Sequence, residues 1–142
     1  MDKKNTIYFQ PGKNFYYGFK LGSNILYLNF NIAVILGIVT NFNYNINTFS
    51  LTDFGTEENS KIIYSREIYE NNHILSIEPI LLCPFKLNGS EYLVIDGNHR
   101  VTAKVDNKID RINCYIYDPN LETCLSSLYD VILYKLIKLI HL

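Results

Sequence analysis

The turn formed by Asp96 and Gly97 constrains the fold of this chain more than any other feature. It follows an apolar run over 92–95, whose length and β-branched residues predict a buried strand. A helix is predicted directly after the turn, over about 99–105. Because glycine adopts backbone conformations that other residues resist, Gly97 lets the chain turn sharply between the strand and the helix.

Further strands and a helix are predicted around this turn. Asn88 and Gly89 are typical of a tight hairpin, and they join a strand over 80–83 to the strand that enters the turn. A helix that begins at Ser65 is predicted before the hairpin. After the turn, apolar and polar residues alternate over 111–117, which predicts a half-buried strand. Together these elements predict an α+β fold with a small mixed sheet.

The first third of the chain gives weaker signals. Short strands are predicted over 25–30 and 46–51, where aromatic and β-branched residues cluster. The apolar stretch over 32–42 fits either a helix capped by Asn31 or a fully buried strand, because its periodicity does not decide between them.

A long apolar helix is predicted at the C-terminal end, with Asp118 as its cap. Its apolar face is wider than one packing surface needs, so we expect it to cover the N-terminal half of the chain or a second subunit. The protein is therefore expected to be a monomer or a homodimer. We predict a single domain over 1–142, with an N-terminal elaboration over about 1–60, a core over about 61–118 and the helix over about 119–142.

Composition and charge narrow the classes of partner. A net charge of -1 argues against nucleic-acid binding through bulk charge, although a local basic patch keeps DNA among the candidate partners. Cys83, Cys114 and Cys124 lie far apart among apolar residues, so we expect buried free thiols and a cytoplasmic location. A membrane-spanning helix needs about 20 apolar residues, and Asn29 interrupts the apolar stretch over 25–39, so no membrane span is expected.

The chemistry expected at the turn is phosphate binding. The first amides of a helix lack partners within it and the helix dipole attracts anions there, so Gly97, Asn98 and His99 are expected to surround a phosphate. Arg100 can add a two-pronged hydrogen bond to the same anion. Asp96 lies where the strand ends, a usual place for a metal ligand or a catalytic base.

Each of these residues also has a structural alternative. Asp96 can cap the helix, His99 can bond to a backbone carbonyl, and Arg100 can lie on the surface. The turn lacks the complete phosphate-loop and dinucleotide fingerprints. Glu78, which precedes Pro79 at the start of a strand, is a second candidate base, and its structural alternative is a solvated carboxylate.

The stretch over 92–103 resembles the signature of ParB/sulfiredoxin-like domains, also described as the ParB-like nuclease domain. That signature is an apolar strand, then Asp-Gly-any-His-Arg, then an alanine one turn later. The flanking elements are similar too, so the resemblance covers about 65–117. It implies a nucleotide site in which Gly97, His99 and Arg100 cradle phosphates.

The family has members with several activities, and this sequence departs from some of them. They include CTP-binding partition proteins, sulfiredoxin, a free serine kinase and proteins labelled nucleases. Asn98 stands where sulfiredoxin carries a cysteine, so its thiol chemistry is not expected here. The second arginine-bearing motif of the partition proteins is not found in the sequence. The kinase implies an acidic base, for which Glu78, Glu70 and Glu67 are the candidates.

Three functions fit these residues. The first is an NTPase, phosphotransferase or nuclease that binds a nucleotide at the turn, with Asp96, His99 and Glu78 as catalytic residues and Mg²⁺ on Asp96. The second is a binding module that holds a phosphate or a nucleic-acid backbone without turnover. The third is an interaction protein whose working surface is the C-terminal helix.

Overall fold

The structure, a computed structural model, describes residues 14–21, 23–41, 44–86, 89–117, 125 and 127–140. The chain divides into two compact units. One unit is formed by Tyr44–Asp118, and the other by Met1–Asn43 together with Pro119–Leu142. The single domain expected over 1–142 stays a prediction.

The secondary structure is of the α+β class, which confirms the predicted fold class of a small mixed sheet with helices and a helix at the C-terminal end. In chain order the elements are β1 (Asn14–Leu21), β2 (Asn24–Asn31), α1 (Ile32–Asn41), β3 (Ile46–Ser50), β4 (Phe54–Gly55), β5 (Ile62–Ile63), α2 (Asn71–Leu75), β6 (Ile80–Pro84), β7 (Tyr92–Asp96), α3 (Asn98–Asp106), β8 (Arg111–Ile116) and α4 (Leu128–Ile140).

Six strands of the unit formed by Tyr44–Asp118 make one mixed sheet in the order β3-β8-β6-β7-β5-β4. The pairs β3/β8 and β6/β7 are antiparallel, whereas β6/β8, β5/β7 and β4/β5 are parallel. The antiparallel pair β6/β7 confirms that the two strands predicted on either side of Asn88 and Gly89 pair with each other, whereas Asn88 lies outside the described residues. The strands β3 and β4 belong to this sheet, although the sequence placed them in the N-terminal elaboration over about 1–60.

The core of this unit lies between the sheet and α3. Leu82 on β6 and Val94 on β7 are fully buried, and Val101 packs onto them from the helix. Burying one such aliphatic side chain contributes about 1.5–3 kcal/mol, so these contacts hold the strand before Gly97 and the helix after it in a fixed geometry. The cluster consists of Phe54, Ile62, Tyr64, Ile80, Leu82, Val94, Val101, Ile112 and Cys114.

The helix predicted to begin at Ser65 is wrong in its first part. Residues 64–70 are not helical, and α2 covers only Asn71–Leu75. The backbone amide of Ser65 donates to Oδ1 of Asn98 at 2.8 Å, and the amide of Glu67 donates to Oγ1 of Thr102 at 3.1 Å. These two tertiary hydrogen bonds hold the segment along α3 in a conformation that is not helical.

The other unit begins with a hairpin, β1/β2, that leads directly into α1. Of the two alternatives for 32–42, the helix is observed, over Ile32–Asn41. Oδ1 of Asn31 accepts a hydrogen bond from the amide of Val34 at 3.3 Å, as a helix cap does. The predicted cap of this helix is therefore confirmed.

The C-terminal helix begins later than predicted. Leu125 forms a β-bridge with Phe30, so the chain is not helical there, and α4 covers Leu128–Ile140. Oγ of Ser127 accepts a hydrogen bond from the amide of Asp130 at 3.3 Å and so caps the helix. The predicted cap at Asp118 lies outside the described residues.

One face of α4 packs on β2, as the apolar surplus in the N-terminal half predicted. Leu133 and Ile137 are buried, and Oδ1 of Asp130 accepts a hydrogen bond from the amide of Asn29 at 3.0 Å. The homodimer stays a prediction.

None of the helices in the described part of the chain has the length and apolarity that crossing a membrane requires. A second apolar face of α4 is exposed and consists of Leu128, Tyr129, Ile132, Leu136 and Leu139.

Candidate functional site

The candidate site is built around Gly97, which joins β7 to α3. Its φ of 101° and ψ of 17° lie in the left-handed region that side chains disfavour. A Cβ atom at this position would lie 2.6 Å from Cγ2 of Ile80, so the neighbouring strand leaves no space for one. Glycine is therefore required here for two independent reasons, the backbone angle and the close approach of β6.

The first turn of α3 presents backbone amides at the end of the sheet. The amide of Val101 donates to the carbonyl of Gly97 at 2.9 Å, which is the first hydrogen bond of the helix. Within the described ranges, the amides of Asn98, His99 and Arg100 have no acceptor. Such amides at a helix N-terminus bind anions, because they point outward and add to the helix dipole.

The side chain of Asn98 has a structural role. It is 6% exposed, its Oδ1 accepts from the amide of Ser65 at 2.8 Å, and its Nδ2 donates to the carbonyl of Val94 at 3.4 Å. Both ends of the side-chain amide are thus used to hold the segment before α2 and the end of β7. The side chain of Asn98 is therefore committed to the protein, and the backbone amide is the group of this residue that can bind a phosphate.

The guanidinium of Arg100 turns back toward the start of β6. Its Nη1 donates to the carbonyls of Glu78 at 3.0 Å and Pro79 at 3.2 Å, and its Nη2 donates to Oδ2 of Asp96 at 3.4 Å. The side chain is only 14% exposed. Because a guanidinium has five N–H donors, Arg100 keeps part of its hydrogen-bonding capacity while it ties α3 to the strand.

Two predicted catalytic carboxylates flank this guanidinium. Asp96 is 18% exposed and lies 3.4 Å from Nη2 of Arg100, whereas Glu78 is 82% exposed and lies 3.7 Å from Nη1. The structure therefore brings Asp96, Glu78 and Arg100 together, with the two negative charges on either side of the positive one. No group of three or more His, Cys, Asp or Glu side chains that could hold a metal ion occurs among the residues described.

His99 lies on the outer side of the same turn. Its Nδ1 is 2.5 Å from the carbonyl oxygen of Ile68, and its ring stacks on that of His73 with 5.5 Å between the centroids. A carbonyl oxygen only accepts, so Nδ1 of His99 carries the proton, and Nε2 of the neutral ring is an acceptor.

Sequence reasoning missed two charged features of α3. Lys104 is 8% exposed and donates to the carbonyl of Ile74 at 3.2 Å. A signal was available, since Lys104 follows Val101 by three positions and so shares the buried face of the helix. The second feature is a two-pronged ion pair in which Arg66 donates to the carboxylate of Asp106 at 2.9 and 2.8 Å. These two residues are 40 positions apart, and no local sequence pattern predicts that they pair.

A cavity of about 280 Å³ adjoins the site at Glu78 and Lys104. The residues of the turn itself, 97–100, do not line this cavity.

Comparison of the chain with family models, with curated proteins and with solved structures finds no match.

Proposed function

We propose that this chain is a ParB/sulfiredoxin-like domain protein that binds a nucleoside phosphate at the turn over 96–100. The observation that carries the proposal is the backbone of Gly97, whose φ of 101° starts α3 with three amides that have no acceptor among the described residues. Phosphate is a common ligand of such helix N-termini. The order of elements around the turn also supports the proposal, because β6, β7, α3 and β8 follow one another as the resemblance implies.

The residues of the turn divide the work of binding. The amides of Asn98, His99 and Arg100 donate to phosphate oxygens. The guanidinium of Arg100 adds positive charge and can donate through the N–H groups that its protein partners leave unused. Asp96 holds the guanidinium in place, since the two side chains are 3.4 Å apart. His99 adds a polar side chain beside these amides, and its ring is held in place by the contact of Nδ1 with the carbonyl of Ile68.

The chemistry that suits this arrangement is phosphoryl transfer or phosphodiester hydrolysis, as in an NTPase, phosphotransferase or nuclease. Mg²⁺ is usually held by one or two carboxylates together with the phosphates of the substrate. Asp96 is the carboxylate that would supply such a ligand, and Glu78, which is 82% exposed and lies 3.7 Å from Arg100, would be the base. Catalysis of this kind rests on positioning and charge stabilisation, which the amides and Arg100 can supply.

The test is an NMR titration of the ¹⁵N-labelled protein with ATP, GTP, CTP and UTP, with and without Mg²⁺. We expect the amide signals of Asn98, His99 and Arg100 to shift with saturation. The absence of any shift at these three amides with all four nucleotides would refute the proposal. Phosphate release, measured in the same samples, then separates a catalyst from a binding module.

A matched pair of variants checks the role of the histidine. His99→Ala removes one polar group at the turn and should weaken nucleotide binding by about 0.5–1.5 kcal/mol, the net value of one hydrogen bond. His73→Ala removes the ring that stacks on His99 at 5.5 Å and should leave nucleotide affinity nearly unchanged. Equal losses in both variants would show that the stacked pair, not the polar group of His99, is what matters.

The alternative is a module that binds without turnover, including one that binds the phosphates of DNA. The paired charges favour it, because both Asp96 and Glu78 lie within 4 Å of Arg100, at 3.4 and 3.7 Å. A carboxylate that is already paired is a weaker base and a weaker metal ligand. Binding to duplex DNA without cleavage in the presence of Mg²⁺ would support this alternative.

A third function is that of an interaction protein that works through the exposed face of α4, and this function predicts no ligand at the turn. The buried thiols of Cys83 and Cys114 fit the cytoplasm for any of these functions.

A further inference from the structure

A cavity of about 280 Å³ opens beside the C-terminal half of α3, away from the phosphate-binding amides. Its volume is just below the range of about 300–1,000 Å³ that is usual for ligand pockets, so it suits a molecule smaller than a typical drug. Its walls combine five aliphatic side chains with a few polar ones. The lining residues are Ile74, Leu75, Ser76, Ile77, Glu78, Lys104, Ile109, Arg111, Ile112 and Asn113.

Lys104 is the charged group most enclosed by this cavity. It is 8% exposed, and its one described acceptor is the carbonyl of Ile74, 3.2 Å from Nζ. An ammonium has three N–H donors, so most of its hydrogen-bonding capacity has no described protein partner. Burial, and to a lesser extent the charge of Arg100, lower the pKa of Lys104 below its ordinary value. An enclosed cation with so few hydrogen-bond partners is unfavourable unless an anion pairs with it.

The other charges at the cavity make its lining net positive. Arg111 adds a second cation, and Glu78 adds one carboxylate. That carboxylate is 82% exposed and lies 3.7 Å from Nη1 of Arg100, so it is turned toward solvent and toward another cation. The lining therefore attracts an anion to the side of Lys104.

The rim of the cavity is apolar and open to water. Leu75 is 82% exposed and Ile77 is 85% exposed, and both line the cavity. Two aliphatic side chains this exposed next to one cavity form a surface that an apolar group would cover favourably. An inorganic anion alone would leave this surface in water.

We propose that this cavity is a binding site for a small organic carboxylate with a short aliphatic chain. The carboxylate accepts hydrogen bonds from Nζ of Lys104, and Arg111 adds attraction at longer range. The aliphatic chain lies against the isoleucines of the wall and covers Leu75 and Ile77 at the rim. Residues 97–100 do not line the cavity, and Glu78 is the one residue that it shares with the phosphate site.

The experiment uses the full chain, labelled with ¹⁵N on the backbone and on lysine Nζ, and hexanoate as the probe. We expect saturable shifts of the amides over 74–78 and 109–113 and of the Lys104 Nζ signal. Hexanamide has the same chain without the charge, and acetate has the charge with almost no chain. Both should bind at least about tenfold more weakly, because each lacks one of the two interactions that the cavity offers. Equal affinity for hexanoate and hexanamide would overturn the proposal, and so would equal affinity for hexanoate and acetate.

Variants identify the residues that bind. Lys104→Met keeps the apolar stem and removes the charge, so it should weaken hexanoate binding by at least about tenfold, the scale of a lost charge-assisted hydrogen bond. Nucleotide shifts at the turn should stay as in the natural chain. Unchanged hexanoate binding in this variant would overturn the assignment of Lys104.

A second pair of variants tests the site without touching a buried residue. Ile77→Glu places a negative charge on the rim at a side chain that is 85% exposed, so the fold should be kept. Ile68→Glu makes the same change at a side chain that is 91% exposed and does not line the cavity. We expect Ile77→Glu to weaken hexanoate binding several-fold and Ile68→Glu to leave it unchanged. Equal effects of the two substitutions would show that hexanoate does not bind in this cavity.

Discussion

Replacing Gly97 by alanine should destabilise the protein through two separate effects. The first is the backbone angle, since a φ of 101° is left-handed and costs an L-residue about 1–2 kcal/mol. The second is steric, because the new Cβ would lie 2.6 Å from Cγ2 and 2.8 Å from Cβ of Ile80. Ile80 is fully buried, so β6 cannot move aside without disturbing the core.

The size of the effect follows from adding these two contributions. Overpacking of a well-packed interior costs about 1–3 kcal/mol. Together with the backbone strain, Gly97→Ala should therefore lower the free energy of unfolding by about 2–5 kcal/mol. Gly89→Ala is the matched control, since its φ of 94° imposes similar strain, but no atom lies within 4 Å of the position that its Cβ would take. This control should lose about 1–2 kcal/mol.

Urea unfolding followed by far-ultraviolet circular dichroism measures both changes, and this signal suits a chain without tryptophan. With a slope of about 1–3 kcal/mol per M of urea, Gly97→Ala should move the midpoint further than the control by about 1 M. If the two variants lose the same stability, the close approach of β6 to Gly97 contributes nothing, and our account of the turn is wrong.

Three further predictions concern residues outside the turn. Burial raises the pKa of the Cys114 thiol to about 12, so peptide mapping should find Cys114 unlabelled by a thiol reagent near neutral pH until the protein unfolds. The hydrogen bond from Arg66 lowers the pKa of Asp106 below 3.8, so this pair stabilises the fold above that pH and the stabilisation is lost as the pH falls further. Urea midpoints of Arg66→Gln should accordingly fall less steeply under acid than those of the natural chain. Asp130→Ala leaves the amide of Asn29, which donates to Oδ1 of Asp130 at 3.0 Å, without this acceptor. It should lower the free energy of unfolding in urea by about 1.5–3 kcal/mol, whereas Asp130→Asn keeps an acceptor and should lower it less.

The strand, the glycine turn and the helix could be predicted because their signals are local. Residues 92–95 are apolar, Gly97 is the residue that a left-handed turn requires, and the following helix ends at Asp106, one residue beyond the predicted end. The helix α1 and its cap at Asn31 were among the predicted alternatives for the same reason. Periodicity left the choice open there because an apolar stretch of this length suits a buried strand and a buried helix alike.

The features that could not be predicted depend on partners distant in sequence. The segment that starts at Ser65 has helix-forming residues, but its amides are taken by Asn98 and Thr102 on α3, more than 30 positions later. Such a tertiary hydrogen bond overrides local propensity and leaves no local trace. In the same way, the sequence made Arg100 and Glu78 candidates for one site but could not show that their side chains lie 3.7 Å apart.

The contacts that build the turn also decide which groups can give it affinity. The side chain of Asn98 is committed at both ends, and the guanidinium of Arg100 already donates to two carbonyls and a carboxylate. Substituting either residue would therefore change stability and binding together. Among the residues that the structure describes, the backbone amides of the first turn have no such second role, and their position depends on Gly97 and on the packing of α3 against the sheet. A phosphate bound here would be held mainly by the main chain, so its affinity should be more sensitive to the geometry at Gly97 than to the loss of the exposed His99 side chain.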